Sequence, residues 1–118
     1  MREIKFRAWN KITKNMLYKI AISPEGKIMF HYQPDYDFEL MQFTGLLDSK
    51  GKEIWEGDIF KNARVDLFVI VFENGGFRGK RKSYKGDDPY GFHFDYYEAT
   101  QGEVISNIYE NPKLLEVS

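Results

Sequence analysis

Along Glu3–Trp9 the side chains alternate, with Ile4, Phe6 and Ala8 on one side of an extended chain and Lys5, Arg7 and Trp9 on the other. That is the period of a strand with one face in a core, and it leaves Trp9 on the outer face. Asn10–Asn15 is a polar loop, and Met16–Ile22 reads as the return strand. In Ser23-Pro24-Glu25-Gly26 the proline fixes φ and the glycine takes a left-handed position, so Lys27–Phe30 is expected as the third strand of an N-terminal meander. Three short strands cannot bury both faces alone and must lean on the rest of the chain or on a second subunit. His31–Asp37, around Pro34, reads as a connection, and a short helix in the first half would fall at Asp35–Met41.

The chain is organised around Met41–Phe60, where strand-like residues flank two turns. Leu40–Thr44 distributes apolar and polar positions over two faces. Asp48-Ser49-Lys50-Gly51 has the composition of a tight turn, in which Asp48 can accept from its own backbone and Gly51 can take positive φ. Glu53-Ile54-Trp55 is too short for a helix, and Glu56-Gly57-Asp58 turns the chain into a new strand at Ile59 and Phe60. Gly57 lets the backbone bend and Asp58 can accept from nearby N–H groups, a structural role preferred over ligand binding.

Lys61–Val65 is a polar interruption before Asp66–Phe72, whose apolar run Leu67–Phe72 reads as the strand most buried on both faces. Glu73-Asn74-Gly75-Gly76 is a strong turn signal and Phe77 starts a return. Arg78–Gly91, rich in charge, glycine and proline, reads as a long excursion from the sheet. Phe92–Tyr97 resumes as a strand, Gln101-Gly102 turns, and Glu103–Tyr109 gives a last strand. Asn111-Pro112 looks like an N-cap followed by proline at the first helical position, opening one helical turn through Leu115.

Composition adds limits. A chain of 118 residues with 42% hydrophobic and 17% aromatic side chains suits one domain with a modest core and half-buried strands. With no cysteine, disulfides, thiolate metal sites and cysteine nucleophiles are excluded. No apolar run approaches the roughly 20 residues needed to cross a bilayer, and no signal-peptide pattern opens the chain, so no membrane contact and a cytoplasmic location are expected. The net charge of −1 conceals blocks. Residues 1–33 carry seven basic and two acidic groups, 34–60 two and seven, 61–85 seven and two, 86–118 one and seven. Opposite blocks can neutralise one another across paired strands or between subunits.

Three segments together resemble the YopX family of small proteins encoded by bacteriophages and prophages. They are Ile4-Lys5-Phe6-Arg7-Ala8-Trp9 with Met16 and Tyr18, then Leu40–Leu46 through Gly51-Lys52-Glu53-Ile54 to Glu56-Gly57-Asp58-Ile59, and Glu103–Pro112. Asn10, Phe43, Trp55 and Ser106 depart from the family pattern. The resemblance implies a mainly β fold, a small antiparallel SH3-like barrel over 39–118 with an N-terminal β-meander over 1–38 packed on it and little helix. It supplies no activity and assigns no catalytic residue, and no cofactor is expected.

Three clusters are candidates for chemistry. Asp87, Asp88, His93, Asp95 and Glu98 offer oxygen ligands suited to Mg²⁺ or Mn²⁺. However, His93 and Asp95 would share a solvent-facing side of a strand, and Asp87-Asp88-Pro89 is ordinary loop composition, so no metal site is expected. Phe77–Lys85 carries Arg78, Lys80, Arg81, Lys82 and Lys85 between two aromatics and can neutralise phosphates while a ring stacks on a base. Against this, near-neutral charge and the acidic segment that follows favour a solvated loop. Finally Trp9, Trp55 and the Tyr90, Phe92, Tyr96, Tyr97 group exceed what one core of this size needs, which favours a protein partner or a homo-oligomer. The expectation is a non-catalytic binding module acting through protein contacts, with nucleic-acid binding by the 77–85 segment as the alternative.

Overall fold

Aromatic and β-branched runs punctuated by Gly and Asx turns fold into a mainly β protein. The computed structural model describes residues 3–26, 28–29, 37–81 and 91–117. Its strands are β1 (Phe6–Asn10), β2 (Asn15–Leu17), β3 (Phe38–Leu47), β4 (Glu53–Trp55), β5 (Asp58–Lys61), β6 (Leu67–Glu73), β7 (Gly76–Arg81), β8 (Phe92–His93) and β9 (Glu103–Asn107). Helix α1 covers Tyr96–Thr100, and a 3-10 segment covers Pro112–Val117. The chain divides into two units, Met1–Phe43 and Thr44–Ser118, with the boundary inside β3.

In the first unit β1 lies between β2 and β3 and is antiparallel to both, with Trp9 opposite Met16 on one side and Glu39 on the other. The Asn10 side chain accepts from Ile12 N (2.9 Å) and Thr13 N (3.1 Å), closing the polar loop. Gly26 N donates to the Ser23 carbonyl at 2.9 Å with φ of 84°, as the Ser-Pro-Glu-Gly composition predicts. The meander is thinner than expected. The return strand ends at Leu17, and among the described residues of the expected third strand Ile28 makes one bridge, to Ile22, while Lys27 and Phe30 lie outside the described residues. From Phe38 onward the segment considered for a helix is extended as β3, since Phe38, Met41 and Phe43 bury themselves against a paired neighbour.

In the second unit the antiparallel order β8-β7-β6-β5-β9 makes a five-stranded sheet that curls into a half-barrel. Asn74 and Gly75, at φ of 54° and 80°, form the two-residue turn between β6 and β7, the conformation that favours an Asn-Gly pair. Inside the curl sit Ile54, Phe60, Phe68, Ile70, Phe94, Ala99 and Val104, with Leu46, Phe77 and Phe92 packed against them. The rings meet edge to face: Phe60 and Phe94 at 5.1 Å, Phe68 and Phe92 at 4.6 Å, a preferred aromatic geometry.

Three second-unit expectations are corrected. β6 is one-sided: Phe68 and Ile70 are fully buried, whereas Val69 and Val71 are only half-buried and Phe72 is exposed. An all-apolar run does not require two covered faces. Arg78–Arg81 is not an excursion but part of the sheet, β7 pairing with β6 and β8, and 82–90 lies outside the described residues. The strand at Phe92 stops at His93, because Asp95 caps α1, its Oδ1 accepting from Glu98 N at 3.0 Å. Proline does open the last segment, which is 3-10 rather than α-helical.

Gly79 permits this packing. A Cβ there would sit 2.8 Å from the Phe68 ring and closer still to Phe92, so no side chain fits without moving two core aromatics. Gly79→Ala is expected to destabilise the protein by about 1–3 kcal/mol, the usual cost of overpacking, read as a lowered midpoint in urea unfolding with an unchanged slope.

Candidate functional site

The carboxylates of the central stretch serve the backbone. Asp48 Oδ1 accepts from Lys50 N and Lys52 N, both at 2.9 Å, and Oδ2 accepts from Val104 N at 2.9 Å, tying the β3–β4 turn to β9 across the sequence. The side chain is 6% exposed. Gly51, at φ of 82°, completes that turn by donating to the Asp48 carbonyl at 3.0 Å. Asp58 Oδ2 accepts from Trp55 N at 2.7 Å. Gly57, at φ of 89°, donates to the Ile70 carbonyl at 2.7 Å and accepts from Ile108 N at 3.0 Å. Both turns of the stretch are therefore structural, as their composition predicts. Asn62 and Asn107 repeat the device, each side-chain oxygen accepting from two following N–H groups.

The tryptophans do not form a surface. Trp9 is 7% and Trp55 4% exposed. Trp9 belongs to the inner strand of its sheet, where Arg7, Ala8 and Asn10 are buried with it, so the alternation of β1 does not separate a wet face from a dry one. Trp55 lies on β4, beside the fully buried Ile54.

Within the basic segment, Arg78, Lys80 and Arg81 lie on β7 and are already engaged. Arg78 donates to the Gly91 carbonyl at 3.4 Å, Lys80 pairs with Glu73, and Arg81 pairs with Asp66 at 3.4 Å. Asp66 and Glu73 are the two acids of the basic 61–85 block itself, so that block is partly neutralised from within. Other pairs do join blocks of opposite sign, Lys11 with Glu39 at 3.4 Å and Lys61 with Glu103 at 3.9 Å. Lys82, Lys85, Asp87, Asp88 and Tyr90 lie outside the described residues. His93 is exposed at the end of β8, and Asp95 is the cap of α1. Among the described residues no group of three or more His, Asp or Glu is placed to hold a metal ion.

What the fold does bring together is an open cleft of about 400 Å³ in the second unit. It lies between the β5–β6 turn (Asn62, Ala63, Arg64), the end of β7 (Arg81), Phe92 of β8, and α1 with its cap (Tyr97, Glu98, Gln101). Asn62 shapes the turn that presents Arg64, whose guanidinium makes no ion pair or hydrogen bond among the described residues. Tyr96 and Tyr97 are 73% and 66% exposed, the most exposed aromatics among the described residues. The cleft thus offers two guanidinium groups, a carboxylate, two amides and two rings. It suits the binding of a polar side chain beside an apolar one. Sequence reasoning missed Arg64, which sits alone in an unremarked polar turn, and reached Tyr97 and Phe92 only as part of an aromatic excess.

The family model described as "YopX protein" matches residues 5–116. The chain belongs to the YopX family. The crystal structure of protein EF1440 from Enterococcus faecalis is similar to this YopX-family chain with a TM-score of 0.69 and 26% identity, over 98% of this chain and 99% of that one. No curated protein matches. The segments that carry the YopX resemblance contain Gly57, Asp58 and Asn107, which organise turns, whereas the cleft is built from 62–64, 81 and 92–101, outside the wording of those segments.

One ion pair fastens the same corner from outside. Lys50 Nζ lies 2.8 Å from Glu103, and this hydrogen bond and charge hold the Glu103 carboxyl below the ordinary glutamate range and raise the Lys50 ammonium above the ordinary lysine range. A depressed carboxyl contributes stability that is present above its unfolded value and lost as pH falls through its folded one. Wild type is therefore expected to exceed Glu103→Gln in stability at pH 7, with the gap closing as pH drops below the ordinary glutamate range, measured by urea unfolding across pH.

Proposed function

We propose that this YopX-family chain is a non-catalytic binding module that acts through protein contacts, its own copies included, in the cytoplasm of a bacterium carrying the phage or prophage that encodes it. The observation that carries this reading is the pair Tyr96 and Tyr97, standing in solvent beside a cleft that holds Arg64 and Arg81. Tyrosine and arginine are the residue types that most often anchor protein interfaces, because each combines a large contact area with directed hydrogen bonds. The carboxylates of Asp48, Asp58 and Asp95 support a binding role over catalysis, since each accepts from backbone N–H groups.

A second reading, nucleic-acid binding, is favoured by the same arginines lying with Phe92 and Tyr97 in one cleft, since a ring can stack on a base while a guanidinium meets phosphate. It is weakened by the engagement of Arg78, Lys80 and Arg81 with Gly91, Glu73 and Asp66. Affinity capture of the tagged chain from prophage-induced cells, with and without nuclease, separates the two. A protein recovered after nuclease treatment by wild type, and lost by Tyr96→Ser/Tyr97→Ser, is the expected result. Retention of that partner by the double variant contradicts the reading. Material lost on nuclease treatment, with affinity falling steeply in salt, establishes the second one instead.

A further inference from the structure

We propose that the β6–β7 turn is a modification site: Asn74 converts spontaneously to isoaspartate by closing a ring on the backbone nitrogen of Gly75, and the product loosens the hairpin. Of the six asparagines in the chain, only Asn74 is followed by glycine. Both residues are exposed, and a Cβ at Gly75 would meet nothing within 4 Å. No Gly75 side chain hinders approach to its backbone nitrogen. The Asn74 side chain makes no hydrogen bond among the described residues. By contrast, the side-chain oxygens of Asn10, Asn62 and Asn107 are each held by two following N–H groups, and that of Asn15 accepts from Thr13. Asn111 precedes Pro112, whose nitrogen has no proton to lose.

In the first step the Gly75 N–H gives its proton to solvent base, the nitrogen bonds to the side-chain carbonyl carbon of Asn74, and the side-chain nitrogen leaves as ammonia. Water then opens the cyclic imide. Attack at the former side-chain carbonyl gives aspartate, and attack at the main-chain carbonyl gives isoaspartate, in which the backbone runs through the old side chain and is one methylene longer. At φ of 54° Asn74 is held in the left-handed turn, so ring closure requires the tip to open by rotation about its Cα–C bond. Strand pairing stops at Glu73–Gly76, and an exposed turn beyond the last pair opens at low cost.

The two products differ in consequence. Aspartate tolerates the same φ and preserves the turn. Isoaspartate does not, because a two-residue turn of this type depends on standard backbone spacing. Its longer backbone displaces the Glu73–Gly76 pair and then the Phe72–Phe77 pair beside it, whose rings meet edge to face at 5.1 Å.

The test is incubation of the folded chain in mildly alkaline buffer, with peptide mapping by mass spectrometry and detection of isoaspartate by enzymatic methylation of its free carboxyl. The expected result is the mass gain of an amide turned to an acid at Asn74 ahead of the other five asparagines, with isoaspartate among the products and a rate that rises with pH. The aged chain should show a lowered midpoint in urea unfolding. Freshly prepared Asn74→Asp carries the charge without the extra methylene and should keep the midpoint that aged wild type loses, whereas Asn74→Gln should lose the conversion. A folded chain left unmodified while the urea-unfolded chain converts overturns the inference, as does conversion first at another asparagine. Aspartate without isoaspartate excludes the cyclic route and overturns it too, and an unchanged midpoint in the isoaspartate form overturns the loosening of the hairpin.

Discussion

The second unit depends on one buried carboxylate. Asp48 gathers three backbone N–H groups, two from its own turn and one from Val104, and holds together strands that are distant in sequence. A carboxylate suits this task because it offers acceptor sites on both oxygens and no donor, while the Val104 N–H it satisfies would otherwise be buried unpaired at considerable cost. Around it the same corner is closed by Ser49 N donating to the Gly102 carbonyl at 2.9 Å and by the Lys50–Glu103 pair. Once β9 is fixed beside β5, Val104 enters the core with Phe60, Phe68 and Ile70, and the sheet can curl.

Seen this way, the polar residues of this YopX-family chain fall into two populations. Asn10, Asp48, Asp58, Asn62, Asp95 and Asn107 are short acceptors that complete turns and caps, and their chemistry is spent in doing so. Arg64 is different, since it stands on a turn that Asn62 shapes and its guanidinium has no ion pair or hydrogen bond among the described residues. The cleft owes its existence to this division: rigid turns on either side, a cap that stops a strand and starts a helix, and side chains left over at the junction.

The turns were legible in the sequence because a turn is decided by a few adjacent residues. Asp48 with Gly51, Asn74 with Gly75 and Pro24 with Gly26 each carry the whole signal within four positions. Burial was less legible because it is decided by what covers a face. β1 alternates as a half-wet strand yet Trp9 and Arg7 are both buried, and β6 is apolar throughout yet covered on one side only. Helix α1 was hidden by β propensity: Tyr96 and Tyr97 favour strands, but Asp95 with Glu98 three residues later is the capping pattern that overrides them. The long-range half of the Asp48 network had no local signature, since the turn composition says nothing of Val104. For the same reason the cleft could not be read ahead, as its members come from three separate stretches and meet only when the sheet has curled.

The most direct test of this account is the unfolding of Asp48→Asn in urea, followed with amide hydrogen exchange at Val104. An amide keeps the shape but has one acceptor oxygen and adds a donor, so it cannot satisfy Val104 N together with Lys50 N and Lys52 N. The account predicts a loss of about 1–3 kcal/mol, the cost of leaving a buried N–H unpaired, together with faster exchange at Val104 or in the Lys50–Lys52 turn. Wild-type stability and unchanged exchange protection in Asp48→Asn would contradict it.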